Sequence, residues 1–488
     1  MGFQLSSVSF GSWTCGLEYS ARQTFLLRLF AMGFVLSVFY FVTYYLTPTM
    51  IFGPLSVYRV ELILAILVFI ISLPRMVGSS IFRTPQFAAV IGLAFAAYLS
   101  VLIAMRWPEG AIVAILGFLP NAFAYILVYL HCNTKKKLKA VVLILLFVCL
   151  FVIVNGSIEQ IHGLPGGASL DSDFSGPPYL LSSKTDAGEW LYRLRGLGEI
   201  NDPNDFGQLI VCVIPMVFIF WRTRRMLRNI AFVLLPVCVL LYGAYLTHSR
   251  GALLALLAVT IVAARRRTGT LPALLLGGAL FVAAMSMNFT GGRDITASSG
   301  ADRTSLWGQS MEAFKTHPVF GVGIGNLGDY TDDHHTAHNS VIVCAAELGF
   351  FGLFFWSAFL FSTMKDVLAI ASQAKVSEPE TNVIEEADFP QPIRRNESID
   401  KLEINRIGRL LVLSLTGFLV AGWFLSRAYI MTFFLIGGMV EVVYEMALQR
   451  GMIAPRQPFA RVMPYAAGLA ISLVSLMYII LRVTNLTH

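Results

Sequence analysis

The chain has 488 residues, of which 56% are hydrophobic and 13% are charged, and its mean hydropathy is +0.69. A soluble domain carries about 25% charged residues, so this composition excludes a water-soluble globular fold and favours a protein whose exterior lies in a bilayer. The net charge of +7 does not indicate nucleic-acid binding, because the basic residues form short clusters between apolar segments, as in loops of membrane proteins.

Apolar segments of about 17–25 residues recur along the whole chain, and this is the length that a helix needs to cross a bilayer. The sequence therefore predicts an all-α polytopic membrane protein with about 12–13 transmembrane helices. The predicted spans lie near 29–46, 55–73, 86–105, 111–131, 138–155, 205–221, 229–246, 247–264, 271–288, 340–364, 408–426, 428–447 and 463–482.

The basic clusters of the short loops determine the predicted orientation. Clusters at 135–139, 222–228 and 265–267 are separated from one another by two spans each, so all three fall on one side of the membrane. Lys and Arg are enriched in cytoplasmic loops, and that side is therefore assigned to the cytoplasm.

This orientation sorts the long polar segments. Residues 156–204 and 289–339 lie outside, and their mixture of Trp, Tyr, Gly, Asp, Arg and His is expected to fold back on the membrane and line a cavity. Residues 365–407 lie inside, and their composition is typical of a solvated, partly disordered connection. The chain thus divides into N-terminal helices (1–155), a central region with both outer loops (156–364), the cytoplasmic loop (365–407) and C-terminal helices (408–488).

Two arginines fall at the predicted outer boundary beside glycines. Arg195 follows Arg193 in the segment Arg-Leu-Arg-Gly-Leu-Gly, and Arg250 lies in Ser-Arg-Gly at the outer end of the span 247–264. An arginine at this depth either extends to the interface or faces a partner or a wet cavity. Because guanidinium stays charged and binds phosphate oxygens through two hydrogen bonds, the pair favours an anion site.

His338 lies at the end of the second outer loop, directly before the span 340–364. Imidazole is the usual general base near neutral pH, so His338 is the candidate proton acceptor. The alternative is a metal site formed by Asp332, Asp333, His334 and His338. Their spacing matches no specific zinc pattern, and no metal is predicted.

The segment Gly323–Gly328 matches the pattern GxGxxG. It lies in an external loop without a strand–helix–strand context, so a dinucleotide-binding site is excluded. We interpret it as a glycine-rich turn that lets backbone approach backbone or substrate.

Several motifs follow one another along this part of the chain. They are 193–198, Ser249–Gly251, Arg303 four residues before Trp307, the glycine-rich segment 317–326, His338-Asn339, and Glu347–Gly349 inside the next span. Their order and side of the membrane resemble the O-antigen ligase and polymerase superfamily of bacterial membrane glycosyltransferases. The resemblance covers about residues 190–360.

The resemblance implies a GT-C-type helical fold and a reaction, independent of metal and cofactor, on the periplasmic face of the bacterial inner membrane. The donor would be a glycan on undecaprenyl pyrophosphate, and the acceptor a sugar hydroxyl of lipid A–core or the end of another glycan. Arg195 and Arg250 would bind the pyrophosphate, and His338 would take the proton of the acceptor hydroxyl. Further substrate contacts are expected from Arg193, Asn204, Arg303 and Asn339.

An O-antigen-ligase-like enzyme is the function expected from these residues. A polysaccharide polymerase with the same donor and a transferase to protein hydroxyls are the related alternatives. A lipid-linked glycan transporter is the alternative from another class, and it would place charged residues and broken helices near the bilayer midplane. In the sequence the ionisable residues gather at the outer boundary, which favours the enzyme.

Overall fold

The structure is a computed structural model that describes residues 32–52, 54–55, 60–161, 179–184, 188–292, 297–332, 334–373 and 391–486. These residues are almost entirely helical. The main helices are α1 (Met32–Leu46), α2 (Val60–Val77), α3 (Pro85–Met105), α4 (Pro108–His131), α5 (Lys135–Ile161), α6 (Pro203–Val217), α7 (Met226–Leu246), α8 (Arg250–Thr268), α9 (Thr270–Ser286), α10 (Ala297–Thr316), α11 (Ser340–Ser372), α12 (Gln391–Gly422), α13 (Met431–Leu448) and α14 (Phe459–Leu486).

Ten helices of the described residues are long and apolar enough to cross a membrane, which confirms a polytopic membrane protein. Every predicted span corresponds to a helix, but three of these helices are not among the ten. Met32–Leu46 and Thr270–Ser286 are apolar but shorter. The helix α8 begins with Arg250 and has three further arginines in its last turn.

One end of the bundle, here called the basic end, gathers the basic clusters. Lys135 forms ion pairs with Asp400 and Glu403 of α12, and Arg450 forms another with Asp400. Arg406 donates two hydrogen bonds of 3.1 Å to the carbonyls of Ile219 and Trp221, which follow α6 and directly precede the cluster at 222–228. The clusters at 135–139 and 222–228 therefore flank the same stretch of α12.

The interval 365–407 differs from the predicted solvated connection. The helix α11 continues to Ser372 and α12 begins at Gln391, while 374–390 lie outside the described residues. The prediction was wrong for these flanks because their charges are not simply solvated. Glu403, for example, accepts hydrogen bonds from Lys135 at 2.5 Å and Lys139 at 2.6 Å, which fixes α12 against α5.

The two outer loops contain secondary structure that the sequence analysis did not predict. The first forms an antiparallel hairpin of β1 (Leu180–Lys184) and β2 (Trp190–Leu194), in which Leu180 pairs with Leu194. The second contains α10, whose Trp307 donates a 2.7 Å hydrogen bond from Nε1 to the carbonyl of Ala337. This contact ties α10 to the segment that precedes α11.

The helix α11 is broken at Gly349, whose φ is 64° and whose ψ is −168°. The glycine-rich segment 317–326 docks against the break through main-chain hydrogen bonds of 2.8–3.0 Å. The N–H groups of Phe350 and Phe351 donate to Pro318 and Val319, and those of Val322 and Gly323 donate to Ala346 and Glu347.

Glycine is required on both sides of this contact. A Cβ at Gly349 would lie 2.3 Å from the carbonyl oxygen of Val319, and one at Gly321 would lie 2.3 Å from the backbone of Glu347. Gly321 and Gly349 lie outside 323–328; within that segment a Cβ at Gly328 would lie 3.0 Å from the carbonyl oxygen of His334, which agrees with the predicted close approach of backbone to backbone. The break in α11 is filled by the chain itself, unlike the substrate-lined breaks of transporters.

Small residues also bring α13 close to its neighbours in the centre of the bundle. A Cβ at Gly437 would lie 2.3 Å from Phe359 of α11, and one at Gly438 would lie 2.9 Å from Val128 of α4. Close approach through small residues is typical of helix packing within membranes. The buried helix α13 thereby fixes the end of the connection that precedes it.

Candidate active site

Five segments meet at the end of the bundle opposite the basic end, here called the loop end. They are the β2–α6 junction (193–205), the turn before α8 (247–250), the helix α10, the segment 334–340, and the connection between α12 and α13, here called the 423–430 connector. Contacts between these segments place most of the residues that the sequence predicts for the site.

Arg193 ties the first outer loop to the turn before α8. Its side chain is 5% exposed. Its Nε donates a 2.9 Å hydrogen bond to the carbonyl of Thr247, and a second nitrogen donates a 3.0 Å bond to Oδ1 of Asn204. The sequence predicts Arg193 and Asn204 as substrate contacts. Their mutual hydrogen bond instead favours a positioning role, which holds the segments of Arg195 and Arg250 together.

Arg195 follows β2 directly and is partly buried. Its N–H donates to the carbonyl of Tyr179 at 2.9 Å, which continues the hairpin ladder. Burial lowers the pKa of the guanidinium, whereas the carboxylates of Glu159 and Asp202 raise it. Since an arginine remains protonated in either case, Arg195 contributes a fixed positive charge at the loop end.

Arg250 is the first residue of α8 and is also partly buried. The helix is capped by Ser249, whose Oγ accepts a 3.3 Å hydrogen bond from the N–H of Ala252. The N-terminus of a helix favours anions because its first N–H groups and its dipole are positive. The guanidinium of Arg250 and the helix end therefore act in the same direction.

His338 lies in the left-handed region, with a φ of 48°. This conformation costs a non-glycine residue about 1–2 kcal/mol. Its N–H donates a 2.9 Å hydrogen bond to Oγ of Ser426 in the connector. Burial and then the charge of Arg303 lower the pKa of the imidazole, while Asp202 raises it. The ring keeps access to solvent, and a neutral imidazole can accept a proton there.

Asn339 caps α11 and is fully buried. Its Oδ1 accepts hydrogen bonds from the N–H groups of Val341 at 2.9 Å and Ile342 at 3.2 Å. The sequence predicts Asn339 as a substrate contact, but its oxygen is already used in the cap. Asn339 therefore fixes the start of α11 and, with it, the position of His338.

Arg303 approaches the connector from α10. Its guanidinium carbon lies 5.9 Å from the centre of the Phe424 ring. The same Phe424 packs against the start of α8, where a Cβ at Gly251 would lie 3.2 Å from the Phe424 Cβ. One aromatic side chain thus contacts both the helix that carries Arg303 and the helix that begins with Arg250.

The 423–430 connector is held at four consecutive residues by contacts from three parts of the chain. Ser340 donates to the carbonyl of Leu425 at 2.8 Å, and Ser426 bonds both Thr336 and His338. Arg427 forms an ion pair of 2.6 Å with Asp205 of α6, and Trp356 donates to the carbonyl of Ala428 at 3.0 Å. The connector therefore joins α6, α11 and the segment of the candidate base.

This connector was not predicted from the sequence to have a function. A signal was present, because Arg427 is the only charged residue between Arg409 and Glu441 and falls at the predicted outer boundary. The carboxylates of Asp205, Glu199 and Asp202 raise the pKa of Arg427 against the effect of burial. Arg427 therefore adds a further arginine to the end of the bundle that carries Arg193, Arg195, Arg250 and Arg303.

The residues of the alternative metal site do not gather in the described part of the chain. Asp332 accepts a 2.8 Å hydrogen bond from Gln309, and His334 lies 3.3 Å from the carbonyl of Gly328. Among the described residues, no three His, Cys, Asp or Glu side chains form a group that could hold a metal ion. Asp333 lies outside the described residues.

Buried charges are also found at the basic end. Arg456 pairs with Glu441 and, at 3.0 Å, with Glu445, and it lies 3.9 Å from Asp366. The interpretation that ionisable residues gather at the outer boundary is wrong in this respect. Asp366 and Glu441 lie about two turns from the ends of α11 and α13, and their charges are paired within the protein.

Two cavities lie outside the candidate site. One of about 480 Å³ is lined by α1, α2 and α4 together with Gly198 and Glu199 of the first outer loop. Another of about 220 Å³ lies beside Arg456 at the basic end. Neither is lined by Arg195, Arg250 or His338, so the candidate site is separate from both.

The fold and the site define a multi-pass helical membrane protein that carries arginines and an accessible histidine at one end of its bundle. Residues 235–357 match the family model described as O-antigen ligase. The resemblance found in the sequence is confirmed over this region, which contains Arg250, Arg303 and His338, whereas Arg195 and the connector lie outside it. The match supports a ligase- or polymerase-type enzyme of surface glycans. No curated protein matches the chain.

Proposed function

We propose that the protein is a metal-independent glycosyltransferase that moves a glycan from undecaprenyl pyrophosphate to an acceptor hydroxyl, as an O-antigen ligase does. Its site would face the periplasm from the bacterial inner membrane. The observation that carries this proposal is the meeting of the segments of Arg195, Arg250 and His338 at one end of the bundle. Part of that site lies within the region that matches the ligase family.

The reaction needs a proton acceptor and stabilisation of the leaving group. The acceptor hydroxyl attacks the anomeric carbon while His338 takes its proton, and the bond from this carbon to the pyrophosphate oxygen breaks. The electron pair leaves with the pyrophosphate, whose growing negative charge Arg195 and Arg250 stabilise. Attack opposite the leaving group inverts the anomeric carbon.

Arg303 has a separate part in this proposal. After burial, its positive charge lowers the pKa of His338 further, which favours the neutral imidazole before the reaction. The same charge favours a phosphate nearby. Arg303 of α10 therefore favours both the neutral form of His338 and the binding of the phosphate.

Transfer by purified protein in nanodiscs, supplied with a lipid-linked glycan and lipid A–core, is the direct test. We expect His338→Ala to abolish transfer, and Arg195→Ala and Arg250→Ala each to lose roughly 2–4 kcal/mol of transition-state stabilisation, about 10²–10³-fold in kcat. Arg461→Ala, at an exposed arginine of α14, is the matched control and should keep full activity. Activity within a few-fold of wild type in both site arginine variants would contradict the proposed role.

The same assay separates the alternatives. Growth of glycan chains on a second lipid-linked glycan, without capture by lipid A–core, would identify a polymerase. With the protein in sealed vesicles instead of nanodiscs, movement of the lipid across the bilayer with no bond formed would identify a transporter. Activity is expected to persist in excess EDTA, and a loss that one divalent ion restores would instead support the site of Asp332, His334 and His338.

A further inference from the structure

The peptide of His338 is held by a hydroxyl from another part of the chain. His338 is a non-glycine residue at a φ of 48°, a conformation that L residues rarely adopt. Its N–H donates to Oγ of Ser426 at 2.9 Å, across 88 positions of sequence. A local turn does not supply this contact, so the conformation depends on where the connector places Ser426.

Ser426 is also fixed on its other side. Its Oγ lies 2.6 Å from Oγ1 of Thr336, two residues before His338. A serine hydroxyl has one proton to donate and two lone pairs to accept with. It can therefore accept the N–H of His338 and donate to Thr336 at once, so that one oxygen spans the three residues 336–338.

The neighbours of Ser426 leave it little freedom to follow His338. Leu425 before it accepts a hydrogen bond from Ser340, and Arg427 after it is paired with Asp205, both at 2.8 Å or less. Asp205 is 2% exposed, so this ion pair is anchored inside the bundle. The Ser426 hydroxyl thus belongs to a connector that is fixed on both sides by contacts with the bundle. The segment 334–338, by contrast, contains no helix or strand.

We infer that Ser426 is a positioning residue, which sets the direction of the His338 imidazole through the backbone of that residue. The inference rests on the proposed function, in which His338 takes the acceptor proton. It adds that the orientation of the His338 imidazole depends on the 423–430 connector, which lies outside the region that matches the ligase family.

The test compares Ser426→Ala with Ser426→Thr and with Ser414→Ala. Ser414 is the matched control, a buried serine of α12 whose hydroxyl donates to the carbonyl of Leu410, four residues earlier in the same helix. We expect Ser426→Ala to lower kcat about 10–100-fold, the cost of misplacing a catalytic group by about 1 Å, with the KM for the lipid-linked donor unchanged. Ser426→Thr, which keeps the hydroxyl, should restore most of kcat.

A second measurement does not depend on transfer. Reaction of His338 with diethyl pyrocarbonate, followed by mass spectrometry of its peptide, should change in rate in Ser426→Ala and stay unchanged in Ser414→Ala. If the wild-type protein shows no transfer activity but the labelling rate still changes in Ser426→Ala, the proposed function is rejected and the positioning role of Ser426 is kept. Equal kcat and equal labelling in Ser426→Ala and wild type would overturn the inference. It would also be overturned if Ser426→Ala lowered kcat, raised KM and lowered thermal stability together, and Ser426→Thr did not restore them.

Discussion

At the scale of single residues, Asp202 is a second participant, besides Arg427 of the connector, that was not singled out from the sequence. Its Oδ1 accepts a 2.7 Å hydrogen bond from the N–H of Asn204 and so caps α6. Its charge also raises the pKa of both Arg195 and His338. One carboxylate thus serves as a common counter-charge for residues that the sequence predicts as catalytic, and its Asn-Asp-Pro-Asn context indicates only a helix start.

The opposing effects of Arg303 and Asp202 give a pH prediction. The pKa of His338 is lowered below its ordinary value of 6.5, so wild-type activity should fall only at a pH below that value. Arg303→Gln removes a positive charge that disfavours imidazolium, so the pKa rises and the acidic limb moves to higher pH. Asp202→Asn, which can still cap α6, removes a favourable charge and moves the limb to lower pH.

Profiles of kcat/KM against pH for both variants measure these shifts, since this ratio follows the free enzyme. Arg461→Gln, at the exposed arginine of α14, should leave the profile unchanged. Shifts of the same sign in Arg303→Gln and Asp202→Asn would show that His338 is not the titrating group.

At the scale of elements, long apolar segments were predictable, whereas the more polar helix α10 was missed. Ten of the thirteen predicted spans correspond to helices that are long and apolar enough to cross a membrane, because continuous hydrophobicity over a bilayer's width is a strong signal. The helix α10 was missed although Arg303, Trp307, Met311 and Phe314 recur at helical spacing. The break in α11 was not predictable from local sequence, since it exists only because the segment 317–326 docks there.

This docked segment gives a stability prediction. Gly349→Ala introduces a Cβ at a φ of 64° and 2.3 Å from the carbonyl oxygen of Val319, so backbone must shift on one side. Gly325→Ala is the matched variant, because its φ is 79° but its Cβ would meet nothing within 4 Å. We expect Gly325→Ala to lose about 1–2 kcal/mol of stability from the backbone conformation alone, and Gly349→Ala to lose clearly more.

Thermal unfolding in detergent, followed by tryptophan fluorescence, provides the comparison. Similar midpoints for the two alanine variants would mean that the contact between 317–326 and α11 adds nothing beyond the glycine conformation. In that case the two segments would separate without cost to the bundle.

At the scale of the whole molecule, the pattern of charges predicted which segments lie at each end of the bundle. It did not predict which residues contact one another there. The basic clusters flank α12 at one end, and the segments of Arg195, Arg250 and His338 meet at the other, as the alternation of spans requires. The ion pair of Arg427 with Asp205 could not be predicted, because the two residues are 222 positions apart. Periodicity indicates which helices exist, whereas such partners depend on how the helices pack.

The orientation of these ends is testable by cysteine labelling. In a variant without native cysteines, His334→Cys at the loop end should react with an impermeant maleimide supplied from the periplasm. Glu397→Cys, exposed at the start of α12, should react only after the membrane is opened. The reverse pattern would place His338 in the cytosol and reject a periplasmic transferase.

The pairing of Arg456 bears on how the protein is made. Arg456 follows α13 in the chain, so Glu441 and Glu445 leave the ribosome before their partner has been synthesised. A charged residue near the centre of a span opposes release from the translocon by about 2.5–3.5 kcal/mol. We therefore expect α13 to settle late in biogenesis, once Arg456 has emerged and reached Asp366 on the α11 already in place.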